Sequence, residues 1–122
     1  MNRIEEIISN MNIDIKKKDV FFVWHLDDKF SILEASDGVE KILGYNSQEI
    51  INSDFTDFML KQEGRYFVKE PSDLDGLTKK EFSITTIFKR KDKTHVVLET
   101  RGKTIYSNNQ KVSGYEGLTF YK

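Results

Sequence analysis

A chain of 122 residues is sized for one domain with one modest core, and no proline- or glycine-rich stretch divides it. A formal charge of −1, from 19 basic and 20 acidic residues, gives no global attraction for nucleic acid or an anionic membrane. The absence of cysteine excludes a disulfide framework, a thiolate metal site and a cysteine nucleophile, and it fits a reducing compartment. Apolar runs reach four or five residues, too few to span a bilayer. The expected location is therefore cytoplasmic, either free or on the inner side of a membrane-anchored parent.

The opening "MNRIEEIISNMN" places Met1, Ile4, Ile8 and Met11 at helical spacing with Arg3, Glu5, Glu6 and Asn10 between them, which predicts an amphipathic helix. "DIKKKD" follows as a charged connector, so residues 1–19 form a helix-and-connector unit ahead of a domain over 20–122. "VFFVWHL" and "KFSILEAS", separated by Asp27 and Asp28, read as two antiparallel strands joined by a tight turn. Phe22, Trp24 and Leu26 share one face of the first strand and Phe21, Val23 and His25 the other. That strand is apolar on both sides, and the first helix is the candidate cover for its outer side.

"SDGVEKILGY" predicts a helix capped by Ser36 or Asp37, with Val39, Ile42 and Leu43 inward and Gly44 as a left-handed stop. Asn46 then caps a second short helix through "SQEII", with Glu49 placed to reach back to the cap's backbone N–H. "SDFTDFML" repeats the device with Ser53 or Asp54 as cap and Phe55, Phe58 and Met59 on one face. Residues 61–78 are the least regular stretch; Tyr66, Phe67 and Val68 are expected to anchor a short helix before Pro71 and Gly76 break the pattern. Three strands follow, "EFSITTIFK" with Phe82, Ile84, Thr86 and Phe88 alternating, "THVVLETRGKTIY" and "KVSGYEGLTFY", joined by the turns "RKDK" and "SNNQ" as an antiparallel meander. The order predicts an α+β domain: one five-stranded antiparallel sheet with short helices on one face and an N-terminal amphipathic helix.

"FVWHLDDKFSILEASDGVEKILGYNSQEI" resembles the N-terminal half of a PAS domain, with Asp27 at the turn, Ser36 after the second strand, and the Leu43-Gly44-Tyr45 signature followed by Glu49. "EFSITTIFKRKDKTHVVLETRGKTIYSNNQKVSGYEGL" is similar to the family's three-strand C-terminal half, with Glu81, the Lys91-Asp92 turn, Glu99 and Gly117 in place, so the resemblance covers residues 20 to 119. Two departures stand out. Lys93 occupies a hairpin position where the family often has glycine, and the aspartate-isoleucine-threonine triplet that commonly couples the last strand to an output helix is missing at Phe120, Tyr121 and Lys122.

The resemblance implies a sensory or interaction module. It implies a cavity between sheet and helices, a homodimer, and an attached effector in a larger signalling protein of the two-component type. A histidine kinase is the first choice of effector, ahead of a nucleotide-cyclase-type sensor or a transcriptional regulator. Candidate pocket-lining residues are Trp24, Phe58, Met59, Phe67, Ile84, Phe88 and Val97, each of which also reads simply as core. Met1, Ile4, Ile8 and Met11 are the dimerisation candidates, at the a/d spacing of a short coiled-coil seam.

No catalytic or metal residue is assigned. The cofactor is left open: a covalent flavin adduct needs a cysteine, and the haem relatives take an axial histidine from a helix, whereas His25 and His95 fall in predicted strands. A non-covalent flavin or a small metabolite remains compatible. Each histidine, like Trp24, has a structural reading, and the basic runs "KRKDK" and "KKK" read as solvated turn and connector, not phosphate sites. No phosphate loop, metal-binding histidine pair or nucleophile elbow is present. The alternatives are a ligand-free structural dimerisation domain and a small α+β cone enzyme of the isomerase or hydratase type, which would need a buried carboxylate facing the pocket.

Overall fold

The computed structural model describes residues 6–7, 21–62, 65–66 and 81–121. Strands β1 (Phe21–Asp27) and β2 (Ile32–Ala35) lead into a helix α1 (Gly38–Leu43) and a 3₁₀ turn (Phe55–Phe58). Short strands β3 (Lys61–Gln62) and β4 (Arg65–Tyr66) follow, and then the long strands β5 (Glu81–Lys89), β6 (His95–Tyr106) and β7 (Val112–Tyr121). The main sheet is antiparallel in the order β2-β1-β7-β6-β5, so the last strand of the chain lies in the middle.

Strand alternation sets the two faces. Phe22, Trp24 and Leu26 of β1, Phe82, Ile84 and Phe88 of β5 and Leu98 of β6 point inward, where they meet Val39, Ile42 and Leu43 of α1, Ile50, Phe55 and Met59 in one buried cluster. Residues Phe21, Val23, Leu118 and Phe120 point outward, and there Ile7, fully buried, seats on Val23 and Leu118. A residue of the N-terminal segment thus covers the outer face, as the two-sided strand required. Met1, Ile4, Ile8 and Met11 lie outside the described residues.

Local signals explain the helical layer. Gly44 takes φ 84° and donates its N–H to the Glu40 carbonyl, ending α1 where the sequence places the stop. Ser36 is not the cap: its hydroxyl accepts the Val23 N–H at 2.8 Å and ties the helix start to β1, while the N-cap residue Asp37 accepts from the Ser47 hydroxyl.

The expected helix after Asn46 forms only its first device. The Asn46 N–H donates to Glu49 Oε1 at 2.7 Å and the Gln48 N–H to Asn46 Oδ1 at 2.8 Å, yet residues 47–52 run as turns. The reason is tertiary: Asn52 turns left-handed at φ 71° and donates to the Ile32 carbonyl, which draws the chain onto the edge of β2 before a helix can propagate. Asp54 caps as expected, its carboxylate accepting from the Thr56 N–H at 2.8 Å.

Tyr66, expected on a helix, pairs with Lys61 in a two-stranded ladder whose register leaves a two-residue connection at Glu63-Gly64, a hairpin signal that outweighs the apolar triplet. Val97 is a second correction. The register pairs Val96 with inward-facing Phe88 and Val97 with Ile87, so Val97 faces outward and is 45% exposed. Two adjacent valines leave alternation without a marker for which one enters the core.

Candidate functional site

The centre of the inner face is a row built for flat side chains. Register places Trp24, Gly117, Gly102 and Phe82 side by side on β1, β7, β6 and β5. A Cβ on Gly102 would sit 2.7 Å from the Trp24 ring and 2.9 Å from the Phe82 ring, and one on Gly117 would sit 2.8 Å from Trp24. The two glycines therefore form a floor without side chains, over which Trp24 and Phe82 lie stacked at 6.4 Å and 18°. Phe55 closes from the helical side, 5.1 Å from Trp24 and 5.9 Å from Phe88.

The polar atoms under this roof are satisfied. Trp24 Nε1 donates to Thr119 Oγ1 at 3.0 Å, and Thr119 and Thr100 share a hydrogen bond at 2.9 Å, all buried. These bonds hold the indole flat and keep two hydroxyls inside an otherwise apolar core.

Between sheet and helical layer remains a cavity of about 10 Å³, lined by Trp24, Leu26, Phe30, Phe55, Thr56, Met59, Phe82, Thr100 and Tyr115. That is close to the least volume that admits a single water. Half-buried Phe30 and Tyr115 stack at 4.8 Å and 19° and form its outer lip. Burial pushes the Tyr115 phenol above its ordinary pKa of 10, with the neighbouring Asp28 carboxylate adding to the effect.

Of the residues singled out in the sequence, Trp24 and Met59 line this cavity. Ile84 and Phe88 are buried in the surrounding core, Phe58 is packed at its edge against Tyr45, and Val97 is on the other face. Phe67 lies outside the described residues. Leu26, Phe55 and Phe82, read from the sequence only as inward apolar residues, also line the cavity, and Phe30, Thr56, Thr100 and Tyr115 were not singled out at all. The alternation of β6 and β7 could have supplied Thr100 and Tyr115, but nothing local points to Phe30. His25 and His95 are in strands β1 and β6, and neither lines the cavity.

A second feature joins the helical layer to the β5–β6 hairpin. Arg90 Nε donates to the Ile42 carbonyl at 2.8 Å, its other nitrogens reach Thr94 Oγ1 at 3.4 Å and the Tyr121 hydroxyl at 3.2 Å, and the Lys91 N–H donates to the Leu43 carbonyl. Lys91 Nζ meets both oxygens of Glu49 at 3.0 Å. The basic turn "KRKDK" is thus a fastening of the helix junction and more than a solvated loop. Lys93, standing where glycine is common, takes φ 74° to close the turn. A groove of about 480 Å³ beside it is lined by both signs of charge, Glu40 and Asp92 with Lys41, Arg90 and Lys91.

An antiparallel five-stranded sheet with its helical layer on one face, a glycine-floored inner row and an N-terminal residue seated on the outer face is the α+β arrangement that the sequence resemblance implied. The PAS domain family model matches residues 18–118, and the chain belongs to that family. No curated protein matches the chain.

Among solved structures, the light-state dimer of the fungal blue-light photoreceptor Vivid matches with TM-score 0.69 at 13% identity, covering 98% of this chain and 94% of that one. A PAS domain from Colwellia psychrerythraea matches at 0.65 and 15% identity, covering 94% and 97%. The N-terminal domain of a diguanylate cyclase with PAS/PAC sensor from Marinobacter aquaeolei matches at 0.65 and 10% identity, covering 83% and 94%. At these identities the likeness is one of fold.

The described interior does not fit a flavin or a haem. Trp24, Phe55 and Phe82 fill the space over the glycine floor, and the volume left is about 10 Å³. A fused-ring cofactor would have to displace a hydrogen-bonded, fully buried tryptophan.

Proposed function

We propose that this PAS domain, residues 20–122 behind an N-terminal helix-and-connector unit, is a cytoplasmic, non-catalytic signalling module that regulates an attached effector through homodimer contacts. The observation that carries the reading is that β1 faces both ways. Trp24 lies on the inner floor beside the cavity, while the adjacent Val23 contacts Ile7 of the N-terminal segment on the outer face. A rearrangement inside, by a small ligand or by repacking, is therefore one sheet thickness from the segment through which a second copy would dock. No described helix is long and apolar enough to cross a membrane.

A histidine kinase is the effector we place first. The diguanylate cyclase whose sensor domain shares this fold favours a nucleotide cyclase as the second reading. A cone-type enzyme is not favoured, because among the described residues no carboxylate lines the cavity and the buried Glu99 and Glu116 point to the outer face.

Light scattering across a wide concentration range tests the dimer. The wild-type chain is expected to dimerise, and the double variant Ile4→Glu/Ile8→Glu, at two of the four seam positions read from the sequence, to remain monomeric with the sheet signal retained in circular dichroism. A wild-type protein that stays monomeric throughout would overturn the dimer relay.

A further inference from the structure

From the lip of the cavity we infer that Phe30 is a gate, admitting a small, flat, apolar ring that takes its place against Tyr115. The inference rests on the sensory reading above and names the ligand class for it. Three separate observations converge on this residue.

The first is where it sits. Trp24, Leu26, Phe55, Met59 and Phe82 behind it are buried, whereas Phe30 and Tyr115 are only partly covered, so the way into the cavity among the described residues passes under their stacked rings. The second is its backbone. Phe30 holds φ 68°, a left-handed conformation that a bulky aromatic rarely adopts and that glycine takes without strain. The third is how it is held. The Asp27 carboxylate accepts the Lys29 and Ser31 N–H groups at 2.8 and 2.9 Å, the Phe30 N–H donates to the Asp27 carbonyl, and its own carbonyl accepts from Phe55. The turn is fixed on both sides of Phe30, so its ring can leave by side-chain rotation while the strand ends stay in place.

The chemistry of the vacated space selects the ligand. The cavity walls are aromatic and aliphatic, Tyr115 offers a flat face at stacking distance, and the Thr100 hydroxyl is already bonded to Thr119. A charged or strongly polar guest would lose its hydration without replacement, whereas one or two fused apolar rings would replace the Phe30 ring contact for contact. Larger tricyclic systems are blocked by Trp24 and Phe82 on the glycine floor.

Titration with indole, followed by amide ¹H–¹⁵N spectra, tests this on the whole chain. Indole is expected to shift the amides of Phe30, Met59 and Tyr115 in the wild type. It should bind at least tenfold more tightly to Phe30→Gly, where the ring is gone and the left-handed turn is relaxed. Phe30→Leu, which keeps an apolar side chain there, serves if the glycine variant fails to fold, and should bind indole more tightly than the wild type by a smaller factor.

Equal or weaker binding to whichever folded variant is used, or shifts confined to other surfaces, would overturn the gate. Dimerisation without indole binding would remove the gate and leave the signalling reading intact. Indole binding by a strictly monomeric protein would support the gate while removing the dimer relay.

Discussion

Gly102 and Gly117 decide more about the interior than any functional-looking side chain does. Side by side on neighbouring strands, they let an indole and a phenyl ring lie flat on the sheet. Adding a single methyl at Gly102 would bring it to 2.7 Å from both the Trp24 ring and the Glu116 carbonyl oxygen. Gly102→Ala is therefore expected to lower unfolding stability by about 1–3 kcal/mol, the usual range for overpacking, and to change the tryptophan fluorescence of the folded state. Urea unfolding followed by that fluorescence measures both.

At the surface, Glu49 has its pKa held below 4.5, chiefly by the Lys91 ammonium that bonds it and then by the Asn46 N–H. A carboxylate with a lowered folded-state pKa adds stability above its unfolded value, and that stability is lost as the pH falls through the folded value. Glu49→Gln should thus make the acid loss of stability below pH 4.5 shallower while leaving the slope near neutrality unchanged, as read from denaturation midpoints over a pH series.

The elements divide into those that local sequence specifies and those that tertiary contacts override. The alternation of Phe82, Ile84, Thr86 and Phe88 gives β5 and its face, and all four are buried. Gly44 ends α1 because only its backbone needs to turn left-handed there. By contrast, the segment after Asn46 has a closed capping box and still does not become a helix, since hydrogen bonds to Ile32 across the molecule outcompete two turns of propagation. Tyr66 shows an apolar triplet overridden by the Glu63-Gly64 turn signal beside it, and Val97 shows a valine pair in which alternation has no local marker for the inward residue.

Arg90 shows how elements are fastened together. Its fork links the α1 carbonyl of Ile42, the hairpin residue Thr94 and the end of β7 at Tyr121. Arg90→Ala should cost about 1–2 kcal/mol of stability, the scale of a charged hydrogen bond, and Arg90→Lys should recover little of it because one ammonium cannot reach three acceptors in a fixed fork. Thermal unfolding of the two variants distinguishes the outcomes.

For the whole molecule, the fold was legible because order, period and punctuation agreed: strand hairpin, capped helical turns, then a three-strand meander. The family match spans the same stretch, residues 18–118. The site was less legible, because core and pocket positions use the same apolar residues, and only three-dimensional packing tells whether they enclose space. Among the described residues they enclose very little, and the space over the glycine floor is filled by the protein's own rings.

The mass of the purified protein under native conditions, set beside its denatured mass and its absorption spectrum, tests that claim most directly. A filled core predicts the mass of the polypeptide alone, in whole-number multiples, with absorption from tryptophan and tyrosine only. Extra mass that leaves on denaturation together with a visible band would mean that a flavin or haem occupies the interior, and would contradict the filled core.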